Sequence, residues 1–242
     1  MKIIPALFAA LAIFASSAHA DPFADFQSRV QADYVKPFAL DLGGVLGGAS
    51  AHTGRTLGFP GFWAGAVASV QTRPDKNDRV LRDAGVKAFG VPLIEVGVGL
   101  PFKIDAIVHG ISGGGVSIYG GGLRYGLYRT DLVDTFLPNV SISAFGDKVN
   151  HKYFSASHGA LNAVATWNLP IVKPFFLAGY DVTEVKVGAA TTPGVAGTKA
   201  TARGSRFSAG VDLHPLPFVS VRGAYTLRHG LPGFDLGIGA QF

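Results

Sequence analysis

The last stretch of the chain, PGFDLGIGAQF at 232–242, alternates strictly: Phe234, Leu236, Ile238, Ala240 and Phe242 are separated by Asp235, Gly237, Gly239 and Gln241. A period of two puts the apolar groups on one side of a β-strand and the small or polar ones on the other. The pattern recurs in Ile94, Val96, Val98 and Leu100 against Glu95, Gly97 and Gly99, and in Ile104, Ala106 and Val108 against Lys103, Asp105 and His109. It recurs again in Val140, Ile142 and Ala144 against Asn139, Ser141 and Ser143, and in Phe207, Ala209, Val211 and Leu213 against Arg206, Ser208, Gly210 and Asp212. In 218–228, Val219, Val221, Tyr225 and Leu227 oppose Ser220, Arg222, Thr226 and Arg228. Strands of this kind need an apolar medium on one side and water or space on the other.

Weaker alternation over 61–71, 115–129, 153–167 and 174–187 brings the expected strand count to about ten. In 115–129, Leu123, Tyr125 and Leu127 stand opposite Arg124; around Asp181 the phase is unclear, which suggests a β-bulge. Connections come in two alternating kinds. Short ones containing Leu-Pro lie at 99–103, 136–139, 168–174 and 214–218, and more polar or glycine-rich ones at 71–85, 112–115, 146–152, 188–204 and 228–233. Such alternation fits strands that run up and down. An even number would leave both ends of the barrel on one side, tight turns facing the periplasm and polar loops outside.

Composition decides the medium. Only 15% of residues are charged, mean hydropathy is +0.31 and 33 are glycine. Beyond residue 20 no run of 18 apolar residues exists, so no helix is available to span a bilayer. A soluble sandwich would alternate too, but should expose more charge and bury larger side chains. Trp63, Tyr125, Tyr128, Trp167 and Phe218 fall near expected strand ends, where interfacial aromatic girdles belong. The first twenty residues, with Lys2, an apolar run and Ala18-His19-Ala20, read as a cleaved signal peptide. With no cysteine there is no disulfide, thiolate metal site or lipid-anchored cysteine. A formal charge of +5 is too mild to argue for nucleic acid.

With its alternating strands and terminal Phe242, preceded by Ala240, Ile238 and Leu236, the chain resembles the bacterial outer-membrane β-barrel class. The resemblance implies a closed, all-β, antiparallel up-and-down barrel, porin-like in general form. It also implies partners in outer-membrane lipids and in the barrel-insertion machinery, which reads Phe242 as its signal. The expected organisation is a signal peptide at 1–20, a plug or lid segment at 21–58 and the barrel at 59–242. In the plug segment Phe23, Phe26, Val30 and Tyr34 follow one another at spacings of three, four and four, one side of an amphipathic helix with Pro22 near its start. Residues 37–57 are compatible with coil, a hairpin or further strands, so eight, twelve or fourteen strands are also compatible. By its position and apolar helix the segment resembles the hatch of fatty-acid-transport barrels.

Glu95, Asp105, Arg124, Arg206, Asp212, Arg222 and Asp235 are the candidates to line the lumen. They would form either a selective constriction or a set of paired charges that holds a small barrel shut. Ser155, Ser157 and His158 do not make a hydrolase site, because neighbours in a strand point to opposite faces and no nucleophile elbow is present. His52, His109, His151, His158, His214 and His229 lack the spacing of a local metal site and read as solvated. The glycine runs at 43–48 and 120–126 lack phosphate-loop context. No enzyme activity, cofactor or metal is therefore expected. The expected function is passive transport of a small or apolar solute across the outer membrane; the alternative is a closed structural or surface-interaction barrel acting through its loops.

Overall fold

The computed structural model describes residue 23 and residues 26–48, 53–128 and 137–242; the expected signal peptide, Pro22 and His52 lie outside these residues. Ten antiparallel strands close into one barrel: β1 (Phe62–Gln71), β2 (Phe89–Leu100), β3 (Ile104–Gly113), β4 (Val116–Tyr128), β5 (Asn139–His151), β6 (Phe154–Thr166), β7 (Val172–Val187), β8 (Lys199–Leu216), β9 (Val219–Arg228) and β10 (Leu231–Gln241). Each strand pairs with its sequence neighbours, and β10 closes on β1 with Trp63 opposite Gln241 and Gln71 opposite Gly233. Closure removes the unpaired edges that an apolar medium would penalise. The tail ends on Phe242, which stacks on Phe218 at 5.8 Å between ring centroids and stands 69% exposed at the rim where β1 begins. This end of the barrel is the terminal rim, and the opposite end is the far rim.

Ile94, Val108, Leu123, Leu161, Phe176, Phe207 and Phe234 all face outward and are exposed, forming the apolar belt. Parity also corrects one aromatic. Trp63 is an odd-numbered residue of β1 and points into the lumen, 8% exposed, while Phe62 points out. Trp167 packs edge-on to Phe176 at 6.0 Å at the terminal rim.

No bulge occurs at Asp181. The registers of β7 with β6 and with β8 run unbroken past it, and the irregularities lie instead at Gly126/Tyr128 and Leu213/Leu216. What changes near Asp181 is polarity, not phase. β7 has 16 residues and β8 has 18, more than the roughly ten that a tilted strand needs to cross hydrocarbon. Their far ends leave the belt, so Glu184, Lys186, Lys199, Thr201 and Arg203 face outward while Val185, Val187, Ala200 and Ala202 face inward. β5 and β6 do the same with Lys148, Asn150 and Ser155 outside and Val149, Phe154 and Ala156 inside. The polar stretches expected as loops at 112–115, 146–152 and 228–233 are therefore mostly strand. Their turns shrink to two residues each: Gly114-Gly115, Lys152-Tyr153 and His229-Gly230.

The inward apolar collar at the far rim exists because something fills it. Residues 23–34 do not form the single helix expected; they make a one-turn helix α1 (Phe26–Arg29) and a 3-10 turn (Ala32–Tyr34). The long helix is the next segment, α2 (Val35–Gly48), which propensity argues against because four of its last six residues are glycine. Tertiary burial overrides that cost: Val35, Phe38, Ala39, Leu42, Val45 and Leu46 are all at most 3% exposed. Pro37 sits in the first turn, where a missing amide proton costs nothing. α2 enters at the far rim, with Phe38, Phe23, Phe26 and Phe154 making ring contacts of 5.0–5.6 Å, and descends inside the barrel. Val30 is buried beside this cluster and Tyr34 packs at its edge. Residues 53–57, ahead of β1, lie in the terminal-rim half of the lumen, where the Gly54 amide donates to Thr166 at 2.8 Å and the Leu57 amide to Asp105. The two long far-rim loops clasp α1: Arg29 donates to the carbonyl of Asp83, in the loop carrying α3 (Arg79–Arg82), and Thr192 donates to that of Gln27.

Candidate functional site

The plugged lumen is the candidate site. Gly43, Gly44, Gly47 and Gly48 form one flat face of α2, and that face lies on polar wall residues. A Cβ on Gly43 would collide with the Thr183 hydroxyl, and one on Gly44 would come within 3.1 Å of Gln71 Oε1. One on Gly47 would strike the Arg206 guanidinium and lie 2.6 Å from Asp181 Oδ1. One on Gly48 would meet the Ser69 hydroxyl and lie 2.7 Å from Asp235 Oδ1. The glycine run thus serves close approach of helix backbone to a hydrophilic wall, not phosphate binding. Arg206 and Arg228 bring their cations to the Gly47–Gly48 end of α2, where the helix dipole favours positive charge.

The seven residues selected from sequence all point inward and are at most 7% exposed. They fall into separate groups. Asp105 pairs with Arg124 at 2.7 Å and also accepts from the Leu57 amide at 3.0 and 3.1 Å, tying the segment ahead of β1 to β3. Arg222 reaches Asp212 at 3.4 Å, as does His214. Glu95 sits between them, near Arg222, Arg124 and His109. Higher up, Asp235 pairs with Arg228, and Arg206 makes two 3.0 Å bonds to Asp181.

Several members of this network escaped sequence reasoning. Asp181 was hidden by the polarity change of β7, Asp147 by its place in an expected loop. Nor are all the histidines solvated. His109 and His158 are 6% and 4% exposed inside the lumen, His109 at 2.5 Å from Asp147 and His158 at 2.9 Å from the Thr183 hydroxyl. His229, in the β9–β10 turn, faces the Leu40 carbonyl at 3.0 Å through Nδ1 and Asp181 at 3.3 Å through Nε2. Inward parity in β3 and β6 was the signal available for His109 and His158. Ser155 and Ser157 lie on the outer face while His158 lies on the inner one, so these residues do not meet.

Below α2 the lumen narrows to a cavity of about 40 Å³ bordered by Arg55, Trp63, Glu95, Arg124, Asp212 and Arg222. That is room for a few water molecules at most. At the far rim the plug carries one more buried acid, Asp41, which accepts from Gln71 Nε2 at 2.7 Å and from the Asp75 amide at 2.8 Å. Burial raises its carboxyl above the ordinary range, and burial beside Asp41 pushes Asp78 up to about 8.

No family model and no curated protein sequence matches this chain. Solved structures do match. An outer-membrane channel from Pseudomonas putida F1 aligns with a TM-score of 0.50 and 8% identity over 79% of this chain and 99% of that one. The translocator domain of the autotransporter NalP from Neisseria meningitidis aligns with a TM-score of 0.39 and 11% identity, over 93% and 99% of the two chains. The attachment invasion locus protein of Yersinia pestis aligns with 0.34 and 11%, over 76% and 100%. At these identities the likeness is one of fold: a closed ten-stranded up-and-down barrel of the bacterial outer-membrane type, with an N-terminal helix ahead of the barrel.

Proposed function

We propose that the protein is a plugged channel of the Gram-negative outer membrane, a passive conduit for ions and small polar solutes that its own N-terminal segment holds closed. The observation that supports this reading is the wall behind α2. The helix rests its glycine face on Ser69, Gln71, Asp181, Thr183, Arg206, Arg228 and Asp235, so withdrawing it would uncover a hydrophilic passage. An apolar solute would find no continuous apolar path there, which narrows the expected cargo to polar species. The terminal rim faces the periplasm, Phe242 serves as the insertion signal, and the far rim, with the N-terminal end of the plug, faces outward. The two long far-rim loops grip the plug, which makes them clamps of the gate more than free adhesive surfaces.

The paired charges below the plug favour a second reading, a permanently closed structural barrel. A tether separates the two. The chain has no cysteine. A Cβ on Gly43 lies 3.1 Å from that of Thr183, a few tenths of an ångström inside the roughly 3.5 Å at which disulfide spacings begin, so a small outward shift of α2 admits the bond. In planar bilayers the double variant Gly43→Cys/Thr183→Cys is expected to be silent when oxidised and, after reduction, to open at least as often as the wild type, because the added Cβ crowds position 183. Silence in both redox states and in the wild type would overturn transport and leave the closed barrel.

A further inference from the structure

Asp41 and Asp78 are 1% and 0% exposed, and their carboxyls face each other, one from the plug helix and one from the loop between β1 and β2. Both oxygens of Asp41 already accept, from Gln71 and from the Asp75 amide. Asp78 Oδ1 caps α3 by accepting from the Leu81 amide at 3.1 Å, while Asp78 Oδ2 is buried and has no donor. No described cation pairs with either acid. The basic residues of the same loop, Arg73, Lys76, Arg79 and Arg82, are exposed to solvent. Two buried carboxylates in contact and without a counter-ion cannot both stay ionised. A proton on Asp78 Oδ2 removes the repulsion and turns the orphaned acceptor into a donor to Asp41.

We propose that this carboxyl–carboxylate pair is a proton-held latch, which clasps the β1–β2 loop onto the plug and releases it when the shared proton is lost in alkaline medium. The latch rests on the reading of α2 as a gate, and it names the regulation of that gate. The burial that raises Asp78 to about 8 places its release just above neutrality. Because the folded form binds this proton well above the ordinary carboxyl value of 3.8, the latch is at full strength in acid and weakens as pH rises, exhausted past about 8. The other groups facing this part of α2 are the partly buried Asp75, which adds negative charge, and His229 at the Leu40 carbonyl. Deeper, Arg228 with Asp235 and Arg206 with Asp181 pair among themselves.

Amide hydrogen exchange of α2 in the full-length, detergent-folded protein tests the latch without any need for current. After correction for intrinsic rates, protection across Val35–Gly48 is expected to fall about ten-fold from pH 6 to 7 in the wild type and to level off above about 8. It is expected to stay flat in Asp78→Asn, whose amide still donates to Asp41. Heat-shifted gel mobility establishes that each variant is folded. An equal fall in wild type and Asp78→Asn would overturn the latch, as would a fall abolished only by His229→Gln. If α2 loosens as expected while bilayers remain silent at pH 9, the latch stands and the channel reading fails.

Discussion

Substituting Asp181 by alanine is expected to destabilise the folded protein by about 3–5 kcal/mol, the usual cost of stranding one member of a buried ion pair. Arg206 is fully buried and makes two 3.0 Å bonds to Asp181, so the truncation leaves a guanidinium in the lumen with Asn162 as its remaining side-chain partner among the described residues. His229 loses its 3.3 Å contact at the same time, loosening the β9–β10 turn from the plug. A urea titration in detergent micelles, followed by the heat-shifted mobility of the folded barrel, reads the effect. The double substitution Asp181→Leu/Arg206→Leu removes both charges and is expected to recover most of the loss. If Asp181→Ala unfolds at the wild-type urea concentration, the pair at the centre of the lumen carries no structural weight.

Gly47→Val is expected to unseat the plug and leave the barrel standing. Any Cβ at this position lands on the Arg206 guanidinium and 2.6 Å from Asp181 Oδ1, two groups that the ion pair holds in place. Valine is a better helix former than glycine, so the variant does not weaken α2 itself. The clash acts only on the seating of the helix. Overpacking of this kind costs about 1–3 kcal/mol, enough to shift a closed–open balance roughly five- to 150-fold. Open probability in planar bilayers should rise by that factor, with Gly47→Ala intermediate, while the denaturant midpoint of the barrel moves little. Unchanged open probability in a Gly47→Val protein whose α2 has lost exchange protection would remove α2 from the role of gate.

The two substitutions act on opposite sides of one contact, and they separate what holds the wall together from what fills it. Loss of the wall pair registers as stability. Loss of the flat helix face registers as opening.

Parity along each strand is legible in the sequence, because a strand offers its neighbours to opposite sides whatever surrounds it. That is why Glu95, Asp105, Arg124, Arg206, Asp212, Arg222 and Asp235 could be assigned to the inner face from spacing alone. The strand number and the closure of β10 on β1 followed the same rhythm. Three things depended on the assembled barrel. Asp181 needed it because strand length relative to the belt, not residue order, decides where inside and outside exchange polarity. The helical state of GGVLGG needed it because weak local propensity was overridden by burial against a wall built from residues far along the chain. Pairs such as Asp41 with Asp78, or His229 with Asp181, join elements that no periodicity relates. Local alternation thus determined which way each side chain points, a property of the backbone over two or three residues. Which charges meet, and what seals the lumen, was decided by closure, which alone brings distant strands and the plug helix to one place.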